Sequence, residues 1–516
     1  MKKSLSDFFA ANKFLLLIGF IDFLIIYLSN FNKAYEYFID EFYYIACANN
    51  PAAGYVDHPP LAPLILTLYK AIFGTSIYAL RFLPALASAV TVFLGGILTR
   101  KIGGYLFAQV FSSITIMCFP VLAAMSGFYS MNAFEPLLAL IAIILIVDII
   151  NNYDIKKWLY IGFVFGLGMN NKHTFVIIIA FILLSLIIAG KWKLLWNKYF
   201  FIGLLISFVM IIPNIIWQIQ NNFPSLEFYR NITEHKNVYT PPLEFIANQL
   251  LLASPFTLPL WIGGIIFLFI KPELKQYRFI ACLFIISYLF FMISGTSRGD
   301  RMAYAYPVVF SVSAIWFEKM SSRRNLFFLK PLYIFLLIIG FAIAVPLFLP
   351  YFSYEQVLKY TTAIGFNTEM EVGKKPPLPQ LLADRIGWKE KVDIVGKAYK
   401  SLTPEEQKRT IVAGNNYGKA GAIELYGKKY GIPFAASGHN NYYLWSKERL
   451  NGDILLELNS VDAYDGYKEV FGDVQKFNGV YTNRYVSEHE NNLQVYICRY
   501  PKVSTRQLLE NGRFYY

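Results

Sequence analysis

Long apolar runs constrain this 516-residue chain more than any other feature. Phe14–Leu28, Val176–Ala189 and Leu332–Pro350 carry almost no charge, and about 20 such residues wound as a helix cross the hydrocarbon core of a bilayer. Backbone groups find no water there, so each run must satisfy its own hydrogen bonds, as a helix does. A content of 56% hydrophobic and 18% aromatic residues excludes an ordinary soluble protein. Hydropathy predicts about eleven spans, centred near residues 22, 88, 115, 141, 164, 182, 208, 260, 286, 310 and 339. No small-residue cleavage site follows the first span, which reads as a retained anchor.

The net charge of +13 resembles a nucleic-acid signal until it is located. Residues 1–350 hold 25 Lys and Arg against 15 Asp and Glu, whereas residues 351–516 hold 22 against 19. Within the membrane half, most of the cations fall in alternate short loops: Lys2, Lys3 and Lys13; Arg100 and Lys101; Lys156 and Lys157; Lys191, Lys193 and Lys198; Lys271, Lys275 and Arg278; Lys319, Arg323, Arg324 and Lys330. That alternation is the positive-inside pattern. It predicts a cytoplasmic N-terminus, with the first loop and everything after about residue 350 on the opposite face, and it argues against a nucleic-acid partner. The cysteines Cys47, Cys118, Cys282 and Cys498 lack metal-ligand spacing and predict neither a disulfide framework nor a cysteine zinc site.

Between the first two spans lies a polar excursion over residues 31–76. Its Tyr35–Ala48 stretch has helical spacing and predicts Glu36, Asp40 and Tyr44 on one face. Glu41 then sits about 100° round from Asp40, so one carboxylate acts while the other orients. Pro51, Gly54, Pro59, Pro60 and Pro63 break and turn the chain. Leu61–Phe73 follows as a helix with an apolar face suited to a membrane interface. Two further loops on the same face carry charge, residues 218–250 with His235 and residues 294–301 with Arg298, Asp300 and Arg301 ahead of Tyr304 and Tyr306. The composition turns polar at residue 351. It predicts a membrane domain over 1–350, a connector over 351–379 containing the linker-like Gly373-Lys374-Lys375-Pro376-Pro377, and a small α/β domain over 380–516. The fold class is therefore a mostly α polytopic bundle with a C-terminal α/β domain outside the membrane.

Asp40 and Glu41 are the leading catalytic candidates, since a general base needs reach and a partly desolvated site, and the mouth of a helical bundle offers both. Solvated loop acids of no consequence are the bland alternative. Asp57 and His58 precede two prolines; His58 is either a hydrogen-bonding loop residue or a phosphate contact, and Asp57 with His235 could hold a divalent metal. Arg81, Lys172 and Arg301 are cations at span ends on the outer face. Each reads as a snorkelling side chain or as a phosphate ligand, with Tyr304 nearby in sequence. The membrane-depth acids Asp22 and Glu135 keep a proton-coupled transporter reading open.

Several of these motifs together resemble the bacterial membrane glycosyltransferases of family 39, relatives of the dolichyl-phosphate-mannose protein mannosyltransferases and of the aminoarabinose transferases of lipid A. The resemblance rests on the acidic pair Asp40-Glu41, on Asp57-His58-Pro59-Pro60-Leu61 and on Leu80-Arg81-Phe82-Leu83-Pro84-Ala85-Leu86. Further along it rests on Asn171-Lys172-His173-Thr174, Ala305-Tyr306-Pro307, Ala383-Asp384-Arg385-Ile386-Gly387-Trp388, Gly414-Asn415-Asn416-Tyr417-Gly418 and Ser437-Gly438-His439-Asn440-Asn441-Tyr442.

The resemblance implies the GT-C fold, a polyprenyl-phosphate sugar as donor, and a lipid, glycan or protein of the cell envelope as acceptor. It implies that Asp40 deprotonates the acceptor hydroxyl for an inverting displacement, with the site and the C-terminal domain facing the periplasm of a bacterial inner membrane. Asp57 and His235 would be the metal ligands of such a site, where a metal is used. One departure stands out: the aminoarabinose transferases have Lys before the Pro-Pro pair, where this chain has His58. An imidazole is cationic only near or below its pKa, which leaves more of the phosphate to Arg81, Lys172 and Arg301. The chain shows no sugar-nucleotide Rossmann fingerprint, as a lipid-borne donor predicts. A transporter or flippase of lipid-linked sugars is the alternative function, and a non-catalytic membrane scaffold a third.

Overall fold

In a computed structural model, each of the eleven predicted span centres falls within a helix. The structure describes residues 5–236, 239–296, 298–366, 376–450, 452–477 and 479–516. The linker residues 373–375 lie outside the described residues. Among the described residues, six helices are long and apolar enough to cross a membrane: Asp7–Phe31, Ile77–Ile102, Met131–Asn152, Lys198–Gln220, Pro272–Ile293 and Leu329–Leu347. Two bent pairs raise the number to eight if each is one span. Leu106–Met117 meets Pro120–Ser126 at 58°, and Pro242–Ala253 meets Pro255–Ile270 at 94°. The difference from eleven is one of length, since predicted spans such as Trp158–Asn171, Phe175–Ile188 and Tyr306–Ser321 hold only 14 to 16 residues. The chain is a multi-pass membrane protein.

Close packing divides the chain into two units. The first comprises Met1–Phe31, Tyr78–Ile216 and Val238–Tyr351 and contains most of the spanning helices. Small residues set its helix contacts. A Cβ on Gly162 would stand 2.1 Å from the Gly203 carbonyl oxygen, so the helices Trp158–Asn171 and Lys198–Gln220 touch backbone to backbone, the usual device where lipid supplies no hydrophobic drive. Glu318 accepts the backbone N–H of Tyr105 at 3.1 Å and of Ala108 at 3.0 Å, which satisfies the start of the Leu106–Met117 helix.

The second unit comprises Asn32–Ile77, Trp217–Asn237 and Phe352–Tyr516. The first loop therefore packs with the C-terminal segment rather than standing alone as an excursion. Val56 of that loop shares a core with Tyr443, Leu509 and Tyr515, against which Phe228 packs. The unit's sheet has four strands: β1 (Thr410–Gly414), β2 (Ile454–Ser460), β3 (Phe471–Lys476) and β4 (Leu493–Pro501), in the order β1-β2-β4-β3. β1 and β2 run parallel, and β4 runs antiparallel to both β2 and β3. Helices Trp388–Ser401 and Tyr417–Tyr426 belong to the same unit as the sheet.

In the first loop, the helix predicted over Tyr35–Ala48 starts later, at Ile39. Glu41 is the reason: its Oε2 accepts the Phe38 backbone N–H at 2.8 Å, which fixes the helix start at that point. Glu36 therefore lies outside the helix, where its carboxylate accepts the Lys389 backbone N–H at 3.0 Å. The helix Leu61–Phe73 forms over its predicted length. Leu64, Leu68 and Ile72 make an exposed apolar stripe along it. Its opposite face is tied to the end of the Ile39–Asn49 helix: Lys70 Nζ donates to the Ala48 carbonyl at 2.6 Å, and Thr67 donates to the same oxygen at 3.1 Å.

Candidate active site

The two acids of the first loop have separate tasks. Glu41 is fully buried and spends its carboxylate on the helix start. Asp40, in the same turn, is only partly buried, and its Oδ1 accepts the Tyr417 hydroxyl at 2.7 Å. One carboxylate shapes the helix start, and the other meets the hydroxyl of Tyr417.

Tyr417 comes from the Gly414–Gly418 turn at the carboxyl end of β1, and it opens the helix Tyr417–Tyr426. Asn416 caps that helix by accepting the Lys419 backbone N–H at 2.8 Å. The Asn416 amide in turn donates to Glu490 at 3.0 Å. Glu490 is buried between two ammonium groups, Lys391 at 2.6 Å and Lys419 at 3.3 Å. Burial by itself would raise the Glu490 carboxyl, but the two lysines outweigh it and hold it well below the usual carboxylate range.

Glycines let this helix reach the acids. A Cβ on Gly418 would lie 2.2 Å from Ile39 Cγ1, and one on Gly421 would lie 2.8 Å from Phe42 Cβ and 3.1 Å from the Phe42 carbonyl oxygen. Two side chains at this contact would push the Tyr417–Tyr426 helix away from Ile39–Asn49 and carry the Tyr417 hydroxyl with it.

The Asp57-His58-Pro59-Pro60 turn is assembled beside the same helix. Asp57 Oδ1 accepts the Tyr43 hydroxyl at 2.8 Å. His58 is almost wholly enclosed: its ring stacks on Tyr44 at 4.9 Å, lies 5.0 Å from Tyr55, and has Nδ1 3.0 Å from the Pro59 carbonyl and Nε2 3.9 Å from Cys47 Sγ. These contacts give His58 the surroundings of a structural residue. Asn441, from the Ser437–Tyr442 motif, accepts the Val56 backbone N–H at 2.8 Å and holds the turn. The His235 ring is exposed beside Glu234, at 3.9 Å, and among the described residues no group of three His, Cys, Asp or Glu is gathered that could hold an ion.

In the other unit, Lys172 and Arg301 belong to one charged cluster. Lys172 Nζ pairs with Glu135 Oε2 at 2.9 Å, so Glu135 has an ion partner inside the bundle. Asp300 accepts both Arg298 nitrogens at 3.0 Å in a bidentate pair. Burial would raise the Asp300 carboxyl, yet Arg298, Lys172 and Arg301 together hold it below its ordinary value. Arg81 is buried, with Nη1 donating to Asn30 at 3.0 Å. Tyr304 is also buried and shares a hydrogen bond with the Ser287 hydroxyl. Asp22 is buried in the first helix, with Oδ2 unbonded.

Sequence reasoning named Asp40, Glu41 and Asp57 but missed Tyr417 and Glu490. The Gly414–Gly418 motif was visible; its partner lies 377 residues away, and no local pattern reports that distance.

Comparison with known proteins follows the same lines. Residues 57–217 match the family described as dolichyl-phosphate-mannose-protein mannosyltransferase. The undecaprenyl phosphate-alpha-4-amino-4-deoxy-L-arabinose arabinosyl transferase 2 of Pseudomonas fluorescens is 23% identical over 293 residues, covering 53% of this chain and 51% of that protein. The chain thus spans about half the length of the curated relative it matches. ArnT from Cupriavidus metallidurans in the apo state superposes with a TM-score of 0.63 at 11% identity, over 95% of this chain and 98% of that one. The same protein bound to undecaprenyl phosphate gives 0.61 at 12% identity, over 96% and 99%. The oligosaccharyltransferase AglB from Archaeoglobus fulgidus, in complex with an inhibitory peptide and a dolichol-phosphate, gives 0.50 at 13%, over 99% and 78%. The fold is GT-C, like that of ArnT, and residues 57–217 match the dolichyl-phosphate-mannose-protein mannosyltransferase family.

Proposed function

We propose that the protein is a glycosyltransferase that moves a sugar from a polyprenyl-phosphate donor to a hydroxyl of a cell-envelope acceptor, with Asp40 as general base. The observation that carries this reading is the pairing of a buried, helix-starting Glu41 with a partly exposed Asp40 held by Tyr417. The Cupriavidus protein of the same fold, in complex with undecaprenyl phosphate, supports the donor class.

In the proposed step, Asp40 takes the proton of the acceptor hydroxyl while that oxygen attacks the anomeric carbon. The bond from that carbon to the phosphate oxygen breaks, the electron pair leaves with the polyprenyl phosphate, and configuration inverts. A base so placed contributes about 10²–10⁴-fold to rate. Lys172, Arg301 and Arg81 are the groups we assign to the phosphate, because fixed cations stabilise charge that grows on a leaving group. Lys172 keeps this capacity beside Glu135, since an ammonium has three donors. In this reading the membrane is a bacterial inner membrane, as the family resemblance implies, and the loop charges put the acids on the side opposite the cytoplasm.

The test is reconstitution of the full chain with radiolabelled undecaprenyl-phosphate sugars and an envelope extract. Wild type is expected to label an acceptor, and Asp40→Asn to lose about 10²-fold or more in rate. Unchanged transfer by Asp40→Asn removes Asp40 as the base. Movement of the lipid-linked sugar across the bilayer with no transfer replaces the enzyme reading with a flippase.

A further inference from the structure

The two C-terminal motifs take no part in the reaction as proposed above, yet they converge on its base. A carboxylate rotates broadly about its last torsion, so the helix Ile39–Asn49 by itself sets where Asp40 sits but not which way its plane faces. The Tyr417 hydroxyl, donating to Oδ1 at 2.7 Å, is one constraint on that plane. Tyr417 is itself held on both sides. Its ring lies 5.0 Å from Tyr43 and 4.5 Å from His439. Its backbone N–H donates to His439 Nδ1 at 3.4 Å, and His439 Nε2 lies 2.5 Å from the Tyr516 backbone oxygen. With Nδ1 accepting, the proton sits on Nε2 and donates to that oxygen, so one tautomer satisfies both contacts. Below the ring, Asn416 caps the helix and is gripped by Glu490.

We propose that Tyr417 is a positioning residue for Asp40, and that the Gly414–Gly418 and Ser437–Tyr442 segments are part of the machinery that aims the base. The inference rests on the reading of Asp40 as that base. A hydroxyl bonded to the ionised carboxylate has two effects. It restricts the carboxylate to the orientation from which it can accept a proton, and it favours the charged form that a base requires.

The experiment uses the full chain in lipid nanodiscs with radiolabelled undecaprenyl-phosphate sugars and an envelope lipid extract, comparing wild type, Tyr417→Phe and Asp40→Asn. Tyr417→Phe keeps the ring and removes only the hydroxyl. Loss of a hydrogen bond to a charged group lowers kcat by about tenfold to a hundredfold, with KM for the donor unchanged. The acid limb of the kcat profile moves to higher pH, because the carboxylate has lost a donor; a purely structural role moves neither the limb nor kcat against KM. Full kcat in Tyr417→Phe, with Asp40→Asn inactive, overturns the positioning role and leaves the base in place. Full kcat in Asp40→Asn overturns the base itself. Melting temperatures of the two single variants and the double variant give a second readout that needs no turnover. Non-additive losses are expected for side chains in contact, and strictly additive losses overturn the contact.

Discussion

The approach of the Tyr417–Tyr426 helix to the acidic helix depends on Gly421, and replacing it by alanine sets two known effects against each other. Alanine gains about 0.8–1 kcal/mol over glycine in a helix interior. Here the new Cβ would lie 2.8 Å from Phe42 Cβ and 3.1 Å from the Phe42 carbonyl oxygen. Backbone cannot swing aside as a long side chain can, so the helices must part, and overpacking of this kind costs about 1–3 kcal/mol. The clash wins, with a net loss of up to about 2 kcal/mol, and the displacement stretches the 2.7 Å bond from Tyr417 to Asp40. Gly466 is the matched control, because a Cβ there meets nothing within 4 Å. Gly466→Ala therefore shows only the propensity gain. Thermal midpoints of the two full-length variants, measured side by side, are expected to move in opposite directions from wild type. Transfer is expected to fall in Gly421→Ala alone. A Gly421→Ala protein that melts as high as Gly466→Ala, with undiminished transfer, refutes the argument that this contact sets the site.

Two further perturbations test the charged clusters. Lys172→Met leaves Glu135 buried without its ion partner, at 6% side-chain exposure, and is expected to cost about 3–5 kcal/mol; adding Glu135→Gln restores the melting temperature but not donor affinity, and recovery of both removes Lys172 from the phosphate site. Glu490, whose carboxyl is held low in the fold, contributes stability that is complete above its unfolded pKa of about 4.3 and is lost as pH falls through its folded value. Glu490→Gln is expected to lower the midpoint at neutral pH and to flatten that acid dependence; parallel pH curves for the variant and wild type count against the ion triad.

The sequence made the membrane helices legible because apolar runs report burial locally. It also made the α/β character of the C-terminal segment legible, through the change to polar composition at residue 351. Span lengths were less legible: residues bordering a helix can be apolar without being helical. Glu36 was expected beside Asp40 on one helix face, but the helix start is decided by a single hydrogen bond from Phe38 to Glu41, which no periodicity reveals. Tyr417 stayed hidden for a different reason. It was part of a conspicuous motif, yet its role is defined by a residue from the far end of the chain. His58 shows the converse, a residue chemically suited to phosphate whose tyrosine surroundings become apparent only in three dimensions.

The helix Leu61–Phe73 joins an exposed apolar stripe to the acidic helix. One of its faces presents Leu64, Leu68 and Ile72 outward, while Lys70 and Thr67 fasten the other to the end of the helix that bears Asp40. An apolar stripe of this kind settles at the depth where it meets hydrocarbon, and that depth follows lipid packing and curvature. These two hydrogen bonds link the stripe to the acidic helix. With Asp40 as the proposed base, transfer measured in bilayers of different acyl-chain length is expected to vary, and equal rates across them count against this coupling.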